Sequence, residues 1–329
     1  MTTINKRLRE FADSLVPDEE EAMRVNEIAC RVASDIKSQF RRRHIIDRIS
    51  PGDNCVRKTM VVNRLHVDLF VYINDRFPPF DDVIDDLTTF LQTTHNFKCK
   101  TTKFGVDLKV SGVSISLLVA RNFLSERLTS HEKKKDCIIQ NAEAVAFLCQ
   151  NFPANFHIPI NLFGPSMQEV QIEFERKQSA FVCALTRLAL FWFGKLIDVG
   201  IEYDQSFLRV IELLAVRAAE REERTGGNDI CSGFYRFLAM FELPLEVDTF
   251  WTMFHDYEVS PYRTRNQRPL LLDPCNPFVN LVGGEASNRL SDLWFVAAST
   301  YSRLVSAQKT NQMPDVESFL IPEAPCTFL

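Results

Sequence analysis

The sequence predicts an α+β fold in two lobes, a mixed β-sheet lobe followed by a helical lobe. Three observations predict it. Strand-type alternation is confined to residues 45–119, helix-period patterns precede it, and from Asp136 onward strand signals stop and helical ones continue. The 329 residues suffice for one large domain or two closely packed lobes. We divide them at 160, with 1–160 as the sheet lobe including the N-terminal helices and 161–329 as the helical lobe.

Asn5 to Leu15 is short and amphipathic. Pro17 and Asp18 then open a longer helix with Met23, Ile28, Val32, Ile36 and Phe40 at roughly helical spacing. Ile45 to Ile49 reads as a strand, and Pro51-Gly52-Asp53-Asn54 is turn chemistry. Leu65 to Ile73 alternates, so His66, Asp68 and Phe70 share one face and Val67, Leu69 and Val71 the other. Asp82 to His95 is helical. Phe97 to Thr101, Phe104 to Val110 and Val113 to Val119 are three further strands, the last two joined tightly by Ser111-Gly112. Helices follow at Gln168 to Lys177, Ala180 to Ile197, Ser206 to Glu222, Ser232 to Phe241 and Asn288 to Val305, with a long loop from Tyr262 to Leu281.

Hydrophobic residues make up 46% and charged residues 25%, which excludes a disordered chain. A net charge of −5 provides no global field to recruit nucleic acid. Basic residues cluster locally at Arg41-Arg42-Arg43, Lys133-Lys134-Lys135 and Arg217 to Arg224, the last alternating with Glu220, Glu222 and Glu223 as a solvated helix face does. Nine scattered cysteines without a C-x-x-C pair fit free thiols in a reducing compartment. The start has no apolar signal-like region, and no stretch reaches about 18 uninterrupted apolar residues. A cytoplasmic or nuclear protein without membrane attachment is therefore expected.

Enzymes that transfer nucleotidyl groups hold two Mg²⁺ ions with a D-x-D pair on one strand face and a third carboxylate on an adjacent strand. A Gly-Ser turn ahead of the pair presents backbone N–H groups to the triphosphate. Here Asp53-Asn54-Cys55-Val56-Arg57-Lys58-Thr59 precedes His66-Val67-Asp68-Leu69. Leu8, Phe11, Leu15 and Pro17 stand ahead of both. Later come Glu212-Leu213-Leu214 with Glu220, Phe250-Trp251-Thr252 with Asp256-Tyr257-Glu258, and Arg268-Pro269. Leu272-Asp273-Pro274-Cys275-Asn276-Pro277, Asn280 and Gly283-Gly284 complete the set. Together these segments resemble the 2′-5′-oligoadenylate synthetase family from about residue 8 to about residue 305. They are similar to its L-x-x-F-x-x-x-L-x-P, G-S-S-G-K-G-T, D-A-D-L, E-L-L…W-E, Y-W-T…D-F-E and R-P…L-D-P-A-D-P…N…G-G. The resemblance implies the bilobal nucleotidyltransferase fold.

The departures bear on function. His66 replaces the first Asp of D-x-D and leaves Asp68. The third carboxylate of V-E-F-D-V falls on Ser116. Asp53 and Asn54 replace the Gly-Ser turn and put negative charge where triphosphate docks. The Lys of a nucleotide-contacting K-x-W is Leu190, ahead of Phe191 and Trp192. The helix that in the family presents R-P-x-K-x-K-x-x-x-R to duplex RNA reads Gln178-Ser179-Ala180-Phe181-Val182-Cys183, with Arg187 kept. Loss of phosphate-contacting cations removes the counterion-release part of affinity. Arg41, Arg42, Arg43, Arg57, Lys58 and Arg187 are the residues left for weak RNA binding.

One carboxylate and one imidazole cannot neutralise and clamp two Mg²⁺ ions, which demand oxygen ligands in octahedral array. The expectation is a pseudoenzyme with no catalytic residue, no metal and no cofactor, its vestigial site formed by His66, Asp68 and Ser116. Its partner is expected to be another protein, for instance a related nucleotidyltransferase-fold subunit, with RNA as a second ligand. The competing reading is an active enzyme making 2′-5′ oligoadenylate or a cyclic dinucleotide from ATP with Mg²⁺ under RNA stimulation. A repurposed single-metal site at His66, Asp68 and Ser116 has few ligands, and the plainer alternative is an Asp68 hydrogen-bonded to Ser116. Phe181, Val182 and Phe191 form either a partner-facing patch or a deeply buried helix.

Overall fold

A computed structural model describes residues 3–40, 46–51, 61–62, 65–75, 79–122, 165–198, 206–242, 247–251, 268–276, 279–283, 285–313 and 315–320. Helix α1 (Thr3–Ser14) buries Ile4, Leu8 and Ala12, an i, i+4, i+8 stripe. Helix α2 (Glu19–Gln39) starts where Asp18 accepts the Glu21 N–H at 2.7 Å, and Glu19, Glu20 and Glu21 suit the positive end of its dipole. Its buried side is Val25, Ile28, Ala29, Val32 and Ile36, whereas Met23, expected on that stripe, is 55% exposed.

Strands β1 (Ile46–Pro51), β2 (His66–Ile73), β3 (Cys99–Thr102), β4 (Gly105–Val110) and β5 (Val113–Arg121) form one sheet in the order β1-β2-β5-β4-β3, with α3 (Phe80–His95) between β2 and β3. Only β2 and β5 run parallel among these neighbours. Ser111 at φ 50° and Gly112 at φ 86° make the β4–β5 turn, the pair of positive φ values that a two-residue hairpin matching strand twist requires. One sheet face, with Val67, Leu69, Val71, Ile115, Leu117, Val106 and Leu108, packs into the main core with α2 and α3. The other face carries His66 and Asp68.

The helical half holds α4 (Gln168–Arg176), α5 (Ala180–Asp198), α6 (Ser206–Arg224), α7 (Ile230–Ala239), α8 (Glu285–Asp292), α9 (Trp294–Thr310) and the short α10 (Val316–Leu320). A small parallel pair, β6 (Asp248–Thr249) with β7 (Leu270–Leu271), lies partly in the stretch expected to be loop. Helix α5 is the axis of this half. It is long and apolar enough to cross a membrane, yet 78% of its apolar window is buried inside the protein, with α6 and α7 packed on it. Trp192 is fully buried, donates to Thr300 of α9 at 3.1 Å, and meets the rings of Phe237 and Phe241. Helix α1, grouped by sequence position with the sheet, packs instead on α5, α7 and α10. Asn5 accepts the Ile230 N–H at 2.8 Å at the start of α7, which fastens the N-terminus to the helical half.

Candidate functional site

The site face is built by strand register. Asp68 lies opposite Ser116, and His66 opposite Ser114, across the parallel β2–β5 pair. The antiparallel β4–β5 pair sets Asp107 against Ser116 and Lys109 against Ser114. Because side chains alternate, these residues form two rungs on one face: His66–Ser114–Lys109 and Asp68–Ser116–Asp107. With neighbouring strands about 4.8 Å apart, the outer members of a rung are about 10 Å apart at their Cα atoms.

Deeper rungs are apolar. Phe70 and Tyr72, each 1% exposed, cluster with Ala120 and Leu118. Gly105 stands opposite Leu118, where an added Cβ would lie 1.8 Å from the Leu117 carbonyl oxygen, so no larger residue fits. The Arg48 guanidinium covers the Tyr72 ring at 4.0 Å and bonds Asn122 at 2.9 Å.

Within the polar rungs, His66 Nε2 lies 2.9 Å from Asp68 Oδ1, both side chains partly buried. Ser116, 3% exposed and expected to bond Asp68, donates its proton to Asp107 Oδ1 at 2.5 Å. Asp107 is the residue that sequence reading missed. A two-residue hairpin pairing Val110 with Val113 already fixes Asp107 against Ser116, so the signal was present in Ser111-Gly112.

These donors do not fit a pair of Mg²⁺ ions. The set is two carboxylates on strands that are not neighbours, an imidazole and a hydroxyl, and each carboxylate already holds a protein partner. Among the described residues no group of three or more His, Cys, Asp or Glu is arranged to hold a metal.

Asp53, Asn54, Arg57, Lys58, Arg41, Arg42 and Arg43 lie outside the described residues. Leu190 is half-buried against the main core. Phe181, Val182 and Phe191 are 3%, 2% and 5% exposed, so this helix is buried rather than presented as a patch. Arg187 requires a correction. It is 5% exposed, and its Nε and Nη2 donate to the Ala12 carbonyl at 2.7 Å and to Asp13 at 2.9 Å. Burial lowers its pKa while Asp13 opposes that shift. It anchors the C-terminus of α1 and offers no charge to a phosphate.

The motifs of the helical half hold the scaffold together. Trp251 donates to Glu220 at 2.9 Å and packs edge-on against Phe174. Asp273, 4% exposed, accepts the N–H groups of Cys275 and Asn276 and the Gln171 amide at 3.0 Å. Asn280 accepts the Leu271 N–H at 2.9 Å and donates to the Pro269 carbonyl at 3.0 Å. Arg209 bridges Glu175 and Glu212. Burial works against its charge, but the two carboxylates outweigh it and raise the guanidinium pKa.

Residues 157–322 match the family described as 2′-5′-oligoadenylate synthetase 1, domain 2, C-terminus. The chain is 27% identical over 129 residues to 2′-5′-oligoadenylate synthase 1A of Rattus norvegicus, an alignment that covers 37% of this chain and 36% of that relative. In fold it is similar to CdnC of E. coli MS115-1 in its complex with HORMA-deltaN, with a TM-score of 0.60 at 15% identity, over 96% of this chain and 94% of that one. A cytoplasmic RNA terminal U-transferase gives a TM-score of 0.53 at 11% identity, over 98% of this chain and 97% of that one. The architecture is the nucleotidyltransferase fold.

Proposed function

The chain belongs to the 2′-5′-oligoadenylate synthetase family, and we propose that in this member the fold serves binding rather than nucleotide polymerisation. The observation that carries the reading is the Asp68–Ser116–Asp107 rung. Where two-metal chemistry needs converging carboxylate oxygens, Asp68 is engaged by an imidazole and the central position is a hydroxyl spent on Asp107. Without metal ions, several kcal/mol of charge stabilisation on the transferring phosphoryl group are missing. The retained scaffold then presents surfaces to a protein partner, with RNA as a secondary ligand. The described cysteines, Cys30, Cys99, Cys183, Cys231 and Cys275, are thiols rather than half-cystines, which supports a cytoplasmic or nuclear setting.

Calorimetry of the purified chain with ATP and Mg²⁺, with and without duplex RNA, tests the proposal. No heat from ATP and Mg²⁺ is expected, with or without the RNA. Metal-dependent binding in the micromolar range overturns it.

Asp107 favours a second reading. Its carboxylate reaches the third position from the next strand and substitutes in charge, though not in place, for the residue that Ser116 replaced. Under it the chain would make 2′-5′ oligoadenylate or a cyclic dinucleotide from ATP. A product abolished by Asp107→Asn distinguishes this reading from the first.

A further inference from the structure

Helix α9 lies at the surface, and its outward face is uncharged for most of its length. Leu293, at φ −74° and ψ −14°, keeps right-handed helical backbone between α8 and α9, and its carbonyl accepts the Ala297 N–H at 2.9 Å. At about 100° per residue, Val296, Ala297, Thr300, Leu304 and Ala307 turn inward, and all are buried. The other side presents Ser291, Phe295, Ser299, Ser302, Ser306 and Thr310, each exposed or half-buried. Phe295 is 62% exposed, more than any other large hydrophobic side chain among the described residues. Trp294 meets its ring edge-on at 4.5 Å, and Tyr301, held edge-on by Tyr235 of α7, borders the same face. Arg303 points elsewhere, over the Phe319 ring of α10 at 5.7 Å.

Charge returns only at the two ends. Asp292 is exposed at the start of this face and Lys309 at its finish, and among the described residues neither makes an ion pair. The spacing of Ser291, Phe295, Ser299, Ser302, Ser306 and Thr310 reads the same in both chain directions, with its midpoint between Thr300 and Tyr301. An antiparallel copy of the helix centred on that midpoint sets Asp292 against Lys309 of the second copy, and two-fold symmetry repeats the pair at the other end. The same register sets Phe295 against Ser306 and Ser299 against Ser302, so the large ring enters where the facing helix is small. A parallel copy would set Asp292 on Asp292 and Phe295 on Phe295. Charge and size thus select one arrangement independently, and the face is its own complement. A lipid surface fits less well, because serines interrupt the apolar face and the chain's net charge is −5.

We propose that the chain forms a two-fold homodimer through α9, in which Phe295 of each copy packs on Ser306 of the other and Asp292 pairs with Lys309. From Ser291 to Thr310 the face is about 28 Å long at 1.5 Å per residue. A single helix face of that length lies at the small end of specific interfaces, so dissociation in the micromolar range is expected. The inference goes beyond the binding reading above by naming a second copy as partner. It neither needs nor excludes chemistry at the sheet face, so the ATP calorimetry and the test below fail separately.

The test is sedimentation equilibrium of the full chain at physiological salt, from about 1 to about 100 μM. A shift from the 37.9 kDa monomer toward twice that mass is expected. Phe295→Ala is expected to raise the dimer Kd about tenfold. Asp292→Lys or Lys309→Asp alone should raise it about fivefold, and the two reversals in one chain should return it to within about twofold of the natural value. Circular dichroism confirms that each variant folds. A monomer at every concentration overturns the proposal. A dimer indifferent to Phe295→Ala does so too, because it forms through another surface. A double reversal no tighter than the single ones also overturns it, since Asp292 and Lys309 then do not meet. So does a monomer that binds neutral phosphatidylcholine vesicles through Phe295.

Discussion

Polar residues in the helical half and on the sheet face are held in two different ways. In the helical half, Arg209 sits between Glu175 and Glu212, Asp273 is capped by two backbone N–H groups, and Asn280 closes a loop on itself. Arg209 ties α6 to α4, while Asp273 and Asn280 fix their own loop, so each of these groups has a structural role. On the sheet, His66, Asp68, Ser116 and Asp107 line an ordered row above an apolar floor, and their bonds run along or across strands of one face. Nothing in the sheet's folding requires a carboxylate there. A fold can therefore keep its scaffold polarity while the residues of a reaction row change, because the two sets are bonded separately.

The largest test of that contrast is Arg209→Met. It leaves Glu175 and Glu212 without their shared cation, and a loss of about 3 kcal/mol in urea denaturation is expected. A change below about 1 kcal/mol would remove the distinction between the two regions. The sheet face is expected to behave in the opposite way. His66→Asp with Ser116→Asp restores the missing carboxylates beside Asp68. Mn²⁺ at about 100 times its Kd should then stabilise that variant by about 2.7 kcal/mol, read as a metal-dependent rise in Tm that the natural chain lacks. Arg187→Ala sharpens the assignment of α1 to the helical half. Loss of its bonds to Ala12 and Asp13 is expected to cost about 2 kcal/mol and to expose α1 to limited proteolysis.

Two smaller effects concern single groups. Cys231 is buried and its thiol is pushed up to about 11, first by burial, whereas Cys30 is exposed. At pH 8, iodoacetamide followed by peptide mass spectrometry should label Cys30 first and leave Cys231 unmodified. Asp315 accepts the Ser318 hydroxyl and N–H at the start of α10, which lowers its pKa below 3.8. A lowered carboxylate contributes stability above its unfolded pKa and loses it as pH falls through the folded one. Protection of the Ser318 amide, read as its exchange relative to the intrinsic rate, should therefore hold above about pH 4 and fall as pH drops below the ordinary carboxylate value.

Much of this was legible in the chain. Alternation placed His66 and Asp68 on one face, and Ser111-Gly112 placed the hairpin, because both are short-range steric facts. Asp107 was harder. It lies in a strand chosen for its apolar members, and its role follows only when the hairpin register is carried three residues along to Ser116. Arg187 misled because a motif position says what relatives present there, whereas the packing of α1 decides what this arginine meets. Met23 lies five residues before Ile28 and so off the stripe, whereas Val25 stands at i, i+3, i+4 and i+7 with Ile28, Ala29 and Val32, a spacing the chain itself already showed.

The sequence by itself determined the order of elements, the two-part α+β architecture, the strand faces and the substitution of carboxylates at His66 and Ser116. These follow from periodicity, turn chemistry and residue identity, which act over a few residues. The tertiary structure decided which half holds α1, that Phe181 and Val182 are core, and that Ser116 is bonded to Asp107. It also decided that Glu222 of α6 is buried against Ser232 and Arg236 of α7. Those outcomes depend on which elements come together across long stretches of chain, and burial and pairing free energies exist only once they have met.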